Sequence, residues 1–326
     1  MGSDIMFDDF DKSFYTYDKL VSVSKELEKQ YGDILKCVTI GKSHDNRDII
    51  LLKLGLGQNH MVCSAGVHGR ESINPVVLVK IVEYYAMLYR SHEASFKKSK
   101  SHEISKLYKS RKKYGQILFR RCVYELLNTY TILFIPLVNP DGYMIALEGF
   151  DAIIDTYLRD VCKKENISYN AWKFNGRAVD INRNFPSKLW VKKNDLDEAA
   201  SENETKALIH VFNQFKPLGY IDFHSRGESI YFYRSTMPVE YNNRQLSIAN
   251  RLADIIDYVL MEPEEEIDIG DSGGNTVHYF SENFNKPAFT IETVEEDADF
   301  PLDPDYRQKV FDEIKLIILE FGSLII

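Results

Sequence analysis

His68 and Glu71 stand three residues apart in AGVHGRE (65–71), a glycine-containing turn that follows an apolar run. An imidazole nitrogen and a carboxylate oxygen suit zinc, and a catalytic zinc commonly keeps three protein ligands and one open position. A lone H-x-x-E pair arises often by chance, so the reading needs a third ligand. His224 is the candidate, because it ends the apolar run LGYIDFH, where an unpartnered imidazole is costly to desolvate. The plain alternatives are a polar surface turn for the first pair and a core histidine satisfied by backbone for His224. Zinc hydrolysis also needs a base that takes a proton from the attacking water and returns it to the leaving amine. Glu292 fits that need at the end of KPAFTIE, where a carboxylate on a buried strand demands a partner. A structural salt bridge is the alternative there.

Between these residues lies WKFNGRAVDINRNFP (172–186), dense in polar groups without helical or strand periodicity. Arg183, with Asn182 beside it, suits a bidentate grip on a substrate carboxylate, and Arg177 or Lys173 suits an oxyanion. An ordinary polar loop held by asparagine turns would read the same way.

The elements that must position these groups alternate along the chain. Residues 17–31 place Leu20, Val23, Leu27 and Tyr31 at helical spacing. Short β-rich runs follow at 37–43, 48–57 and 60–69, and Pro75 opens a helical run in which a first-turn proline is tolerated. From His92 to Arg121 the sequence turns basic and loses apolar periodicity, which predicts a solvated excursion or a helical insertion. TILFIPLV (131–138) reads as a buried strand because turn signals follow at once. Ser201 and Glu204 read as a capping box before a helix that reaches about Phe215, strands are expected at 218–224 and 286–293, and a last helix covers roughly Tyr306–Phe321. No repeat or flexible linker divides the chain, so residues 1–326 are expected to form one α/β domain with a mixed sheet. His68, Asn139, His224 and Glu292 each lie at or just past the carboxyl end of an expected strand, where ligand sites of such sheets collect.

Composition agrees with a folded domain: 44% apolar and 13% aromatic residues supply a sizeable core. With 40 basic against 49 acidic residues the net charge is −9, which disfavours nucleic acid and anionic lipid as partners. The four cysteines are scattered singly and read as reduced thiols. MGSDIMFDDFDKSFY shows no basic leader followed by an apolar run, and no stretch reaches the roughly 18 apolar residues of a membrane span. A cytoplasmic location is therefore expected.

HGRE, NPDGY, DINRNF, DFHS and TIE, in that order from residue 68 to 292, resemble the carboxypeptidase A-like zinc metallopeptidases over nearly the whole chain. The resemblance implies a single α/β domain with a mixed, mostly eight-stranded sheet flanked by helices. It also implies one Zn2+ per chain held by His68, Glu71 and His224, with Glu292 as the catalytic carboxylate and Asn182 and Arg183 docking the substrate's terminal carboxylate. Lys173 and Arg177 compete by spacing for the oxyanion role, and Arg177 is preferred here because its planar fork stays charged. In IDIGDSGGNT (267–276), Ile269 stands near the place where such enzymes carry a tyrosine. The wording of WKFNGRAVDINRNFP and DFHSRGESIYFY is most similar to the bacterial branch that includes γ-D-glutamyl-L-diamino acid peptidases. That branch implies peptidoglycan-derived peptides as substrates, met by Arg177, Arg183 and Arg226 despite the acidic whole. No cell-wall-binding repeat is visible, which favours soluble muropeptides. Two other readings use the same pocket: an amidohydrolase or deacylase of N-acyl amino acids, and a muropeptide-binding protein without turnover.

Overall fold

A computed structural model describes residues 15–98, 111–266 and 273–326. The Thr16 hydroxyl accepts from the Lys19 amide and so caps α1 (Tyr17–Tyr31), which buries Leu20, Leu27 and Tyr31 on one face. The chain continues through β1 (Leu35–Lys42), β2 (Asp48–Leu54), β3 (Asn59–Ala65), α2 (Ile73–Lys98), α3 (Arg111–Thr129), β4 (Tyr130–Ile135), α4 (Pro140–Glu148) and α5 (Thr156–Lys164). It ends with α6 (Asn203–Phe215), β5 (Tyr220–Ser225), β6 (Ser229–Tyr231), α7 (Val239–Ile256), β7 (Val259–Leu260), α8 (Thr276–Phe284), β8 (Ala288–Thr293) and α9 (Tyr306–Leu324).

The strands form one eight-stranded mixed sheet in the order β1-β2-β4-β3-β5-β8-β6-β7. Its centre, β4-β3-β5-β8, is parallel, while the β1–β2, β2–β4 and β6–β8 pairings are antiparallel. Helices cover both faces, which explains why the inner strands are apolar at nearly every position rather than at alternate ones. In β2, Ile50 and Leu52 pack toward the face that holds α1, α2 and α9, whereas Ile49 and Leu51 pack toward α6 and α8. This is the single α/β domain with a mixed eight-stranded sheet that the sequence led us to expect. No helix among the described residues is long and apolar enough to cross a membrane.

The basic stretch is helical where it is described, one of the two alternatives expected of it, whereas the capping box is overturned. The basic stretch 92–121 is entered by α2 and left by α3, and Phe119 and Tyr124 of α3 pack on the main core; residues 99–110 lie outside the described residues. The capping box at Ser201 and Glu204 does not form: Glu202 is the cap residue of α6 and makes no side-chain cap. Glu204 is fully buried instead, and the Ser201 hydroxyl donates to Glu202 Oε1 at 2.7 Å.

Candidate active site

Parallel strands deliver the key groups to one end of the sheet. β3 runs into the turn that carries His68 and Glu71, and β5 carries His224. β8 places Glu292 directly opposite His224 in the parallel register. His68 Nδ1 lies 2.6 Å from Glu71 Oε1, His224 Nδ1 lies 3.1 Å from Glu71 Oε2, and the two Nδ1 atoms are 3.3 Å apart. Two nitrogens bound at about 2.0–2.1 Å to one tetrahedral ion would stand about 3.3 Å apart, so this spacing suits zinc. Among the described residues, Glu71 Oε2 is buried without a hydrogen-bond partner, as expected where a cation completes the set, and Glu292 Oε2 beside it is likewise unpartnered.

The outward nitrogens of both imidazoles meet carboxylates. His224 Nε2 lies 3.1 Å from Asp222 Oδ2, and His68 Nε2 lies 3.4 Å from Asp180 Oδ1. Asp222 is itself fixed by the Ser64 hydroxyl at 2.6 Å and the Thr276 hydroxyl at 2.5 Å. Such outer carboxylates set the ring orientation and raise ligand basicity. Burial alone would lower the pKa of His224, but Asp222 and Glu71 outweigh it and hold that imidazole well above its usual range. Burial pushes Glu71 upward, yet His68 and His224 hold its carboxyl down at about 2. Glu292 goes the other way: burial lifts it to about 8, because the histidines only partly offset the desolvation. The centre thus favours positive charge at its imidazoles, and burial makes the facing carboxylate more basic than an exposed one.

Close backbone contacts seat the polar loop over this centre. A Cβ on Gly69 would run into the Gly142 carbonyl, and one on Gly142 would run into the Phe174 carbonyl oxygen. HGRE, NPDG and the WKFNG segment therefore stack through their main chains. Asn139 caps α4 through the Gly142 amide and donates to the Val67 and Phe174 carbonyls, so it holds this stack rather than lining the cleft.

A cleft of about 470 Å3 opens onto His68, Glu71 and Glu292 and is lined by Lys173, Asn182, Arg183 and Arg226. Asn182 Oδ1 accepts from the Thr276 amide at 3.1 Å, and Arg183 Nη1 donates to the Asn182 carbonyl at 2.9 Å. The structure does not bring Arg177 to the cleft. Asn175 Oδ1 accepts from the amides of Arg177 and Val179, a turn that sends the Arg177 side chain to Glu202 at 3.3 Å. Lys173 reaches the cleft instead, with Nζ 2.7 Å from Asp180 Oδ2. Spacing alone did not reveal which way that turn points. Ile269 lies outside the described residues.

A zinc carboxypeptidase family profile matches residues 20–111 and 117–313. The chain belongs to the zinc carboxypeptidase family. It is similar to the uncharacterised protein YqgT of Bacillus subtilis, 27% identical over 240 residues, 67% of this chain and 57% of that protein. It is also similar to γ-D-glutamyl-L-diamino acid endopeptidase 1 of Lysinibacillus sphaericus, 21% identical over 298 residues, 85% of this chain and 65% of that protein. The chain thus spans less than two thirds of either relative. Bovine thrombin-activatable fibrinolysis inhibitor, solved with a tick carboxypeptidase inhibitor, shares the fold at a TM-score of 0.70 and 18% identity, covering 96% of this chain and 98% of that one.

Zinc is the metal of this family, and the donor set and spacing at His68, Glu71 and His224 fit it. Two neighbours escaped sequence reading, Asp222 and Asp180. Asp222 had a signal: residues two apart on a strand share a face, so Asp222 and His224 had to point the same way. We expect Asp222→Asn to weaken zinc binding about 10–100-fold while the fold persists, measured by competition with a chromophoric chelator. Unchanged affinity would remove Asp222 from the centre.

Proposed function

We propose that this member of the zinc carboxypeptidase family is a zinc-dependent peptidase of short, carboxylate-rich peptides, with peptides that join γ-D-glutamate to a diamino acid as its substrate class. The observation that carries the reading is the meeting of His68, Glu71 and His224 within ligand reach of one another, with Glu292 facing them from the next strand. The cleft beside them supports the substrate class. Lys173 and Arg183 line it beside the metal ligands, with Arg70, Arg226 and Arg234 set among Glu265, Glu266 and Glu296. The similarity to a γ-D-glutamyl-L-diamino acid endopeptidase points in the same direction.

His68, Glu71 and His224 would hold the zinc, which when bound supplies Lewis-acid activation. Glu292 takes the proton of the attacking water and delivers it to the leaving amine, a role suited to a carboxyl that burial has made more basic. Lys173 donates to the carbonyl oxygen that gains negative charge, and its ion pair with Asp180 fixes the ammonium near His68. Arg183 and Asn182 receive a substrate carboxylate, the guanidinium providing two parallel donors.

Lys173→Met should therefore lower kcat about 10²–10³-fold, whereas Arg177→Met should change it less than a few-fold. Steady-state rates of the two variants on one peptide decide between them; the reverse order would return the oxyanion role to Arg177. The substrate class is tested by incubating zinc-loaded protein with tripeptide and tetrapeptide muropeptides and with N-acyl amino acids, and reading products by mass spectrometry. Scission at the γ-D-glutamyl bond is expected. Cleavage of the N-acyl amino acids alone would make the protein a deacylase, and tight muropeptide binding without products would make it a binding protein.

A further inference from the structure

A second group of metal-competent side chains gathers at the start of α6, where His44, Glu202 and Glu204 each offer a ligand atom within 4.8 Å of the others. His44 Nε2 lies 3.0 Å from Glu202 Oε2 and 4.0 Å from Glu204 Oε2. Both carboxylates are 0% exposed, while the His44 side chain is 15% exposed and leaves a route from solvent.

Ionic partners around this group do not balance it. Arg47 is shared between Asp45 and Asp141, and Arg177 reaches Glu202. Four carboxylates, Asp45, Asp141, Glu202 and Glu204, thus share two guanidinium groups. Glu204 is the least provided for: its Oε2 receives the Asn175 amide at 3.3 Å, and its Oε1 is buried with no hydrogen-bond partner among the described residues. A buried carboxylate in that condition is costly unless it takes up a proton, as its rise to about 7 through burial favours, or a cation meets it.

We propose that His44, Glu202 and Glu204 form a second divalent-cation site, distinct from the one at His68, Glu71 and His224. One imidazole and two carboxylates suit zinc or a neighbouring transition ion better than calcium or magnesium, which take oxygen ligands. The site braces the substrate loop. Asn175 donates to Glu202 Oε2 at 2.7 Å while its Oδ1 holds the amides of Arg177 and Val179, so a cation on Glu202 and Glu204 fixes the turn between Lys173 and Asp180.

The test counts zinc in the full chain after chelator stripping, incubation with excess zinc chloride and desalting, by plasma mass spectrometry. The His68→Ala/His224→Ala variant should retain one equivalent, which falls to none when Glu204→Gln is added. The same change in the otherwise intact chain should remove one equivalent. Glu204→Gln keeps the side-chain shape, and circular dichroism checks its fold; His44→Ala, at the partly exposed ligand, serves as the second variant if it fails. A His68→Ala/His224→Ala variant that holds no zinc overturns the second site, as does zinc content indifferent to both Glu204→Gln and His44→Ala. Failure of the catalytic reading would look different, as zinc content indifferent to the loss of His68 and His224 yet sensitive to Glu204→Gln.

Discussion

Glu292→Gln should bind zinc as the parent protein does and hydrolyse peptide about 10²–10⁴-fold more slowly, the range that a positioned acid or base contributes. An amide at this position keeps the size and strand of the glutamate, so the His224 register across β5 and β8 is undisturbed. The substitution removes only the oxygen that accepts and returns a proton. Since Glu292 lies outside the set formed by His68, Glu71 and His224, zinc content should stay at the parent level. The loss should fall on kcat, because proton transfer matters in the transition state more than in the bound ground state. Zinc analysis and steady-state kinetics on one preparation check both halves, and parental turnover with zinc present would falsify the assignment of the base.

Replacement of His224 by alanine should be more drastic, because it removes a metal ligand and exposes its neighbours to an imbalance. Asp222 and Glu71, at 0% and 3% exposure, lose the imidazole that lies 3.1 Å from each. Leaving buried carboxylates without that partner costs about 3–5 kcal/mol in comparable ion pairs. The variant should therefore lose hydrolysis to background and melt at a lower temperature. The rise in melting temperature that zinc at the active centre gives the parent protein, as any ligand of the native state does, should vanish. Thermal melts with and without zinc, in a Glu204→Gln background so that only this centre responds, provide the measurement. Undiminished thermal stabilisation by zinc would mean that His224 is not a ligand.

The sequence made the framework legible where local physics and tertiary packing agree. α1 follows its apolar stripe from Tyr17 to Tyr31, and β5 and β8 stand within two residues of their expected starts because buried parallel strands are apolar on both faces. The motif resemblance singled out His68, Glu71 and His224, and the structure brings their ligand atoms within 4.8 Å of one another. What escaped was set by long-range geometry. β6 and β7 are only three and two residues long and carry too short a pattern to read. α7 (Val239–Ile256) is amphipathic but rich in polar residues, so its apolar face became plain only against α9. Glu204 had the local signature of a helix cap, and burial against His44 and Asn175 overrode it. Lys173 and Arg177 could not be ranked by spacing because a turn made by one asparagine side chain sends them to different neighbours.

Across the two interior strands, His224 and Glu292 are held opposite each other by ladder pairing, while the groups proposed to grip substrate hang from loops. The segment from Trp172 to Pro186 carries Asn182 and Arg183 together with Lys173 and Asp180, so an insertion there would disturb substrate choice and turnover alike, whereas a one-residue slip of β8 would turn Glu292 to the opposite face and abolish turnover.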